Sequence, residues 1–295
     1  MPAVQLPDRI LISVSGPDAE HFLQNILTTD LDALSPEDAK PGALLTPQGK
    51  ILFDFLVSRD GNGGLLLECR TEIADDFIRR LTLYKLRAKV DISKQEQSLV
   101  SVSWNLDSDA SVSDSSASET DSTVRHDRRF VEPARVFRIY GQTVPEGDQM
   151  QAWEDFRLAH GIAESGSDYA LSDAFPHDVL LDQTGGVGFG KGCYVGQEVV
   201  SRMHHRGTAR RRVLLVSAEE PLPPSGTDIK AAGKTIGTLG SVSGNKGLAI
   251  VRIDRVKDAI DAGIEIAVGE VAVSLTIPGW AKFTFPQEPA AAEDA

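Results

Sequence analysis

Apolar positions along the chain switch repeatedly between strand-like and helix-like spacing. Residues 10–14, Ile-Leu-Ile-Ser-Val, are dense enough for a buried strand, and Gly16-Pro17-Asp18 breaks it. Phe22, Leu23, Ile26 and Leu27 then recur at helical spacing, with Asp18 as the expected N-cap. Residues 43–45 and 51–57 flank Pro47-Gln48-Gly49, and the turn 60–64 leads into three leucines at 65–67, a pattern that predicts an antiparallel meander. A helix opened by Thr71 sets Ile73, Phe77, Leu81 and Tyr84 on one stripe. Strand spacing returns at 90–92, 99–104 and 136–140, and Trp153, Phe156, Arg157 and Leu158 belong to a helix expected to stop at Gly161. From residue 209 the texture is short strands with Gly and Pro punctuation, at 213–216, 221–226, 235–242, 247–253 and 270–277, which predicts a small C-terminal β-barrel over 208–286.

Composition narrows the classes. At 295 residues the chain exceeds one ordinary core, so two or three packed subdomains are expected. The excess of 43 acidic over 30 basic residues gives a net charge of −13, which opposes attachment to phosphate backbones or anionic lipid. Neither a nucleic-acid partner nor a membrane is expected. The two cysteines, Cys69 and Cys193, are too few and too far apart for a disulfide framework, which points to a reducing compartment and an expected cytoplasmic location. Residues 107–123 hold seven Ser, two Thr and five acidic residues with no Lys or Arg, and read as a mobile solvated loop; 287–295 reads as a flexible tail.

Chemistry concentrates in Lys191-Gly192-Cys193-Tyr194-Val195-Gly196-Gln197-Glu198, followed by Arg202 and His204-His205. A cysteine between glycines and a helix expected over 196–203 would face free helix N–H groups, which favour a thiolate, and Lys191 would add to that. Gly192 and Gly196 allow a sharp turn, while Gln197 and Glu198 place polar groups in the first helical turn. The competing reading of any single cysteine is a small buried hydrophobe, and Cys69, at the end of an apolar strand, fits it. Adjacent histidines cannot share one face of an element, and no C-x-x-C pair is present, so no metal site is assigned. Two cysteines cannot hold a four-thiolate cluster alone, which leaves a shared, transient one open. Asp54, in the strand 51–57, is either a carboxylate aimed at a cleft or a solvent-facing strand residue.

The eight-residue run resembles the signature of the YgfZ group of folate-binding proteins, relatives of the aminomethyltransferase (T-protein) of the glycine cleavage system. Supporting matches are Gly16-Pro17-Asp18-Ala19, Leu27-Thr28-Thr29-Asp30, Pro47-Gln48-Gly49-Lys50-Ile51, Arg157 with Gly161, and Phe189. The resemblance implies an α+β, T-protein-like fold in which residues 1–207 form two interleaved subdomains around a central folate cleft, ahead of the barrel. It implies tetrahydrofolate as cofactor, with Asp54 and Arg157 as cleft residues. It further implies transient iron–sulfur client proteins, including tRNA-modifying enzymes, for assembly or repair. Cys193 and Lys191 are then the reactive pair, shaped by Gly192, Tyr194, Gly196, Gln197, Glu198 and Arg202. Aminomethyl transfer or demethylation is the alternative activity, and a non-catalytic folate-binding scaffold a second. The T-protein helix carries a glutamate where this chain has Ala159, and losing a charged partner argues against transfer chemistry.

Overall fold

The computed structural model describes residues 1–96, 99–106, 123–144 and 149–286. The 107–122 part of the expected mobile loop and the expected tail 287–295 lie outside the described residues. The chain forms two compact units, residues 1–156 with 170–208, and residues 157–169 with 209–295. The expected boundary at 207/208 thus gains an excursion, because 157–169 belong with the second unit.

The first unit runs β1 (Ala3–Gln5), β2 (Arg9–Ser15), α1 (Ala19–Gln24), β3 (Asp38–Leu45), β4 (Ile51–Arg59), β5 (Leu65–Arg70), α2 (Ala74–Lys85), β6 (Asp91–Lys94), β7 (Val100–Leu106), β8 (Val124–Asp127), β9 (Ala134–Tyr140), α3 (Met150–Ala159, whose last turn falls in the second unit) and α4 (Gln197–Arg206). Its nine strands make one sheet in the order β1-β7-β9-β8-β3-β4-β5-β2-β6, antiparallel except where β3 meets β8. The meander is present as β3-β4-β5. Alternation decides its two faces. Ile12, Val14, Phe53, Phe55, Leu67 and Cys69 point to a core that also takes Phe22 and Leu23 of α1 and Phe77 and Leu81 of α2. Phe77 stacks on Phe53 at 4.8 Å and on Phe55 at 5.5 Å between ring centroids. Asp18 precedes α1 as expected, but its carboxylate makes no cap bond and instead accepts the Lys89 backbone N–H at 2.7 Å.

Strands β2, β5, β8 and β9 also carry buried charge. Glu68 accepts the Tyr140 hydroxyl at 3.1 Å and lies 3.6 Å from the Arg9 and 3.5 Å from the Arg138 guanidinium. Arg138 Nε donates to Asp127 at 3.1 Å, and Arg129 Nη2 donates to the same carboxylate at 2.8 Å. Burial alone would raise the Asp127 carboxyl, but Arg129 and then Arg138 outweigh it and hold it below its ordinary value. The Arg138 guanidinium also lies over the Trp153 ring, at 5.5 Å.

The second unit contains β10 (Arg211–Ser217), β11 (Asp228–Ala231), β12 (Lys234–Ser243), β13 (Lys246–Arg252), α5 (Ile253–Asp261), β14 (Ile266–Val268), β15 (Val271–Ala272) and β16 (Ser274–Thr276), in the antiparallel order β15-β14-β11-β12-β13-β10-β16. Residues 221–226, read as a strand, form none, since Pro221, Pro223 and Pro224 withhold ladder donors. The helix α5 was not expected; its Ile253, Val256 and Ala259 complete the barrel core with Leu214, Ile229 and Val251.

Candidate functional site

The motif loop is built on the segment after α1. Leu27, Thr28 and Thr29 are fully buried. The Thr28 hydroxyl donates to the Gly186 carbonyl at 2.6 Å and accepts the Ala43 N–H at 2.9 Å, while Gly188 N–H donates to the Thr28 carbonyl at 2.8 Å. Lys191 finishes the attachment, its Nζ donating to the carbonyls of Leu27 at 2.8 Å and Thr29 at 2.7 Å. Burial pulls its pKa down to about 8, against Asp30 and Asp32, which hold it up. At pH 7 it therefore remains mostly an ammonium, and both carbonyls receive a charged donor. This corrects the expected role of Lys191: its ammonium is directed at backbone carbonyls, so it positions the loop and is not assigned to activate the thiol.

Tyr194 is buried against this lysine, with Nζ 5.5 Å from its ring centroid, and burial raises its phenol to about 12. Its N–H donates to Gln197 Oε1 at 3.4 Å, and Val195 packs on the first unit's core. Gly196 then turns left-handed, φ 78°, and serves as N-cap of α4, which begins one residue later than expected and runs to Arg206. Cys193 lies three residues before that cap, in a segment without regular secondary structure.

Two glycines hold the loop at its other side. A Cβ on Gly196 would come 2.5 Å from the Thr46 carbonyl oxygen and 3.1 Å from Gly49 Cα; one on Gly49, φ 82°, would come 2.9 Å from Val199 Cβ. The Pro47-Gln48-Gly49 turn and the motif turn therefore meet backbone to backbone, which only glycine permits. Gly196→Ala is expected to destabilise the protein by roughly 1–3 kcal/mol through left-handed strain and this contact. Gly192→Ala, with open space around its Cβ position, should melt like wild type. Equal melting temperatures for the two variants would contradict the close approach.

What this bracing presents is an exposed Cys193 thiol, with exposed Gly192, Glu198 and Arg202 nearby in sequence. Glu198 and Arg202 lie one turn apart on α4. Cys69 is the opposite case: burial, reinforced by Asp54 and Glu68 and opposed by Arg9, pushes its thiol up to about 12. His204 stacks on Phe189, 3.8 Å between centroids, which holds the glycine loop against the last turn of α4. Among the described residues no group of three or more His, Cys, Asp or Glu side chains gathers as a metal site.

The two expected cleft residues belong to different units. Asp54 is half-buried on β4, opposite Ala43 and on the face away from Phe53 and Phe55. Arg157 belongs to the second unit and is buried. It donates to Asp168 at 2.7 Å, to the Ile162 carbonyl at 2.6 Å and to Ser241 at 3.2 Å. Asp168 in turn accepts the Ser241 N–H at 2.8 Å. The geometry makes Arg157 a clamp inside the barrel unit. Neither that clamp nor the roles of Thr28, Thr29 and Gly49 are legible in the local pattern of the chain. Their only signal was membership in the short runs 27–30 and 47–51.

Comparison with known proteins agrees with this architecture. Residues 210–283 match the CAF17 C-terminal beta-barrel domain. The aminomethyltransferase T of the glycine cleavage system from Bartonella henselae superposes with a TM-score of 0.69 at 16% identity, covering 97% of this chain and 87% of that one, which shows the α+β T-protein-like fold. The human mitochondrial iron–sulfur cluster assembly factor IBA57 is 31% identical over 304 residues, 94% of this chain and 84% of its own length. The mouse protein is 30% identical with the same coverage, and a homologue from Chaetomium globosum is 34% identical over 71% of this chain and 54% of its own length. These relatives are named as mitochondrial, which overturns the cytoplasmic expectation. A low cysteine count reports a reducing environment and does not choose among such compartments. The resemblance drawn to the YgfZ group resolves, over nearly the whole chain, into likeness to these proteins, and the chain belongs to the IBA57 family of iron–sulfur cluster assembly factors.

Proposed function

We propose that this protein assists the assembly or repair of iron–sulfur clusters on client proteins, tRNA-modifying enzymes among them, through the Cys193 thiol, and that it binds tetrahydrofolate in its first unit. The observation that carries the reading is the contrast between its two cysteines. Cys69 is sealed in the core, whereas Cys193 is exposed on a loop braced by Lys191, Gly196 and Gly49. Bracing an exposed thiol this way preorganises it for a partner's cluster or disulfide. One thiolate cannot hold a cluster, so the remaining ligands come from the client, and the cluster is cargo.

The T-protein-like fold supports folate binding, and Asp54 is the residue proposed to accept donors from the pterin. Arg157 does not fit that role, since its guanidinium is spent on Asp168, Ile162 and Ser241. Titration of the reduced protein with tetrahydrofolate, followed by tryptophan fluorescence, should show saturable binding that Asp54→Asn weakens by about tenfold, the loss of a charge-assisted bond. Absence of saturation, or no effect of Asp54→Asn, removes folate or this residue from the reading. Restoration of a [4Fe–4S] enzyme's activity in cells lacking the protein, on re-expression of the full chain, tests the cluster role separately.

A further inference from the structure

Residues 79–89 read Arg-Arg-Leu-Thr-Leu-Tyr-Lys-Leu-Arg-Ala-Lys, through the second half of α2 and just past it. Leu81 points to the core, but Leu83 is 70% and Leu86 88% exposed, the most exposed large apolar side chains among the described residues. Leu83 lies in the last turn of α2, and Leu86 follows three residues later, immediately past the end of the helix. Leu86 closes α2 with φ 48° and ψ −106°, a backbone region that side chains avoid. Strain is therefore held at a position whose side chain buries almost nothing, and such outliers cluster at binding surfaces.

The charge around these leucines is equally lopsided. Asp76 pairs with Arg79, and Asp75 pairs with Lys94 at 2.9 Å, which accounts for the acidic residues of α2. Among the described residues no carboxylate side chain forms an ion pair with Arg80, Lys85, Arg87 or Lys89, and all but the half-buried Lys85 are exposed. Four cations without a side-chain ion pair among the described residues thus share the stretch 80–89 with two solvent-facing leucines, on a chain whose net charge is −13, and the Asp18 carboxylate bonds only the backbone N–H of Lys89.

We propose that this face is a docking surface for an acidic segment of a partner protein, which sets carboxylates against Arg80, Lys85, Arg87 and Lys89 and buries Leu83 and Leu86. Charge decides for a protein over an anionic bilayer. Screening over about 8 Å confines the attraction to the patch. A protein segment meets the patch alone, whereas a planar bilayer also brings the acidic remainder of the surface against lipid phosphates. The surface stands on residues 79–89 and does not depend on Cys193 or folate.

The probe is a synthetic amphipathic peptide of Glu and Leu at helical spacing, titrated into the full chain while backbone amide resonances are followed, with Glu/Ser and Lys/Leu peptides as controls. The Glu/Leu peptide should shift the amides of 79–89 saturably and more weakly as salt rises. The double changes Arg80→Glu with Arg87→Glu, and Leu83→Ser with Leu86→Ser, should each reduce affinity about tenfold or more while leaving melting unchanged, because these side chains are exposed. No saturable shift, equal binding by the Glu/Ser peptide, or indifference to both double changes would overturn the proposal. A stronger response of the same amides to phosphatidylserine vesicles than to the peptide would overturn it too, by assigning the patch to a membrane. Concentration-dependent dimerisation lost in both double variants would assign it to a second copy of the chain.

Discussion

A chain carrying Cys193→Ser is expected to fold like wild type and to fail in cells. The thiol is exposed, and the loop that carries it is held by other groups: the Lys191 ammonium, the buried Tyr194 ring, and the close approach of Gly196 to Gly49. Exchange of sulfur for oxygen at such a position should change stability by less than about 0.5 kcal/mol. Chemistry is another matter, since a serine hydroxyl is neither a soft metal ligand nor a nucleophile at neutral pH. Complementation of a strain lacking the protein, with both forms at matched expression, should show a [4Fe–4S] tRNA-modifying enzyme restored by wild type and at least about tenfold less active with the variant. Alkylation of the native protein supplies the control. One equivalent should add at Cys193, and Cys69, its thiol pushed up to about 12 in the core, should react only on unfolding. Full restoration by the serine variant would make the protein a folate-binding scaffold and remove the thiol from its function.

The largest effect on stability is expected from Asp127→Asn. Asp127 is fully buried and receives Nε of Arg129 at 3.0 Å, its Nη2 at 2.8 Å, and Nε of Arg138 at 3.1 Å. Removing the carboxylate charge takes from Arg129 and Arg138 the counter-ion they share, away from water, and leaves Arg138 only Glu68 at 3.5 Å. Breaking a buried pair from one side costs about 3–5 kcal/mol. Urea unfolding at pH 7 should register that loss. Its pH dependence follows from the depressed carboxyl. The stabilisation is complete above the ordinary carboxyl pKa of 3.8 and is lost as pH falls through the lower value in the folded protein. The gap between wild type and variant should therefore hold from neutrality to about pH 4 and close only below it. A variant as stable as wild type at pH 7 would show that the cluster is neutralised by other means.

Patterning along the chain was sufficient for most of the architecture. The meander β3-β4-β5, the stripe of α2 and the barrel strands β10, β12 and β13 follow from spacing alone, because period-two and period-3.6 burial are local properties. The expected strand at 221–226 and the unforeseen α5 show the limit. A proline-rich run and a short amphipathic helix are decided by what covers them, and Val256 and Ala259 find cover only once the barrel closes. The run 191–198 stood out along the chain, and the contrast between its exposed cysteine and the buried Cys69 was legible from their neighbours in sequence.

The partners of those residues belong to tertiary structure. Lys191 stands two residues from Cys193 in sequence, yet its ammonium reaches the carbonyls of Leu27 and Thr29, more than a hundred residues upstream. Arg157, expected beside Asp54, is drawn into the barrel unit by Asp168 and Ser241. A long side chain goes where a buried acceptor awaits it, and acceptors are placed by chain crossings that no local pattern records. By itself the sequence determined most of the segments that become strands and helices, and it set one cysteine among glycines beside a lysine and the other at the end of an apolar run, since both follow from neighbours along the chain. Only the folded molecule decided which charges are buried together, which glycines touch, and which leucines are left facing water, since each depends on segments remote in sequence meeting in space.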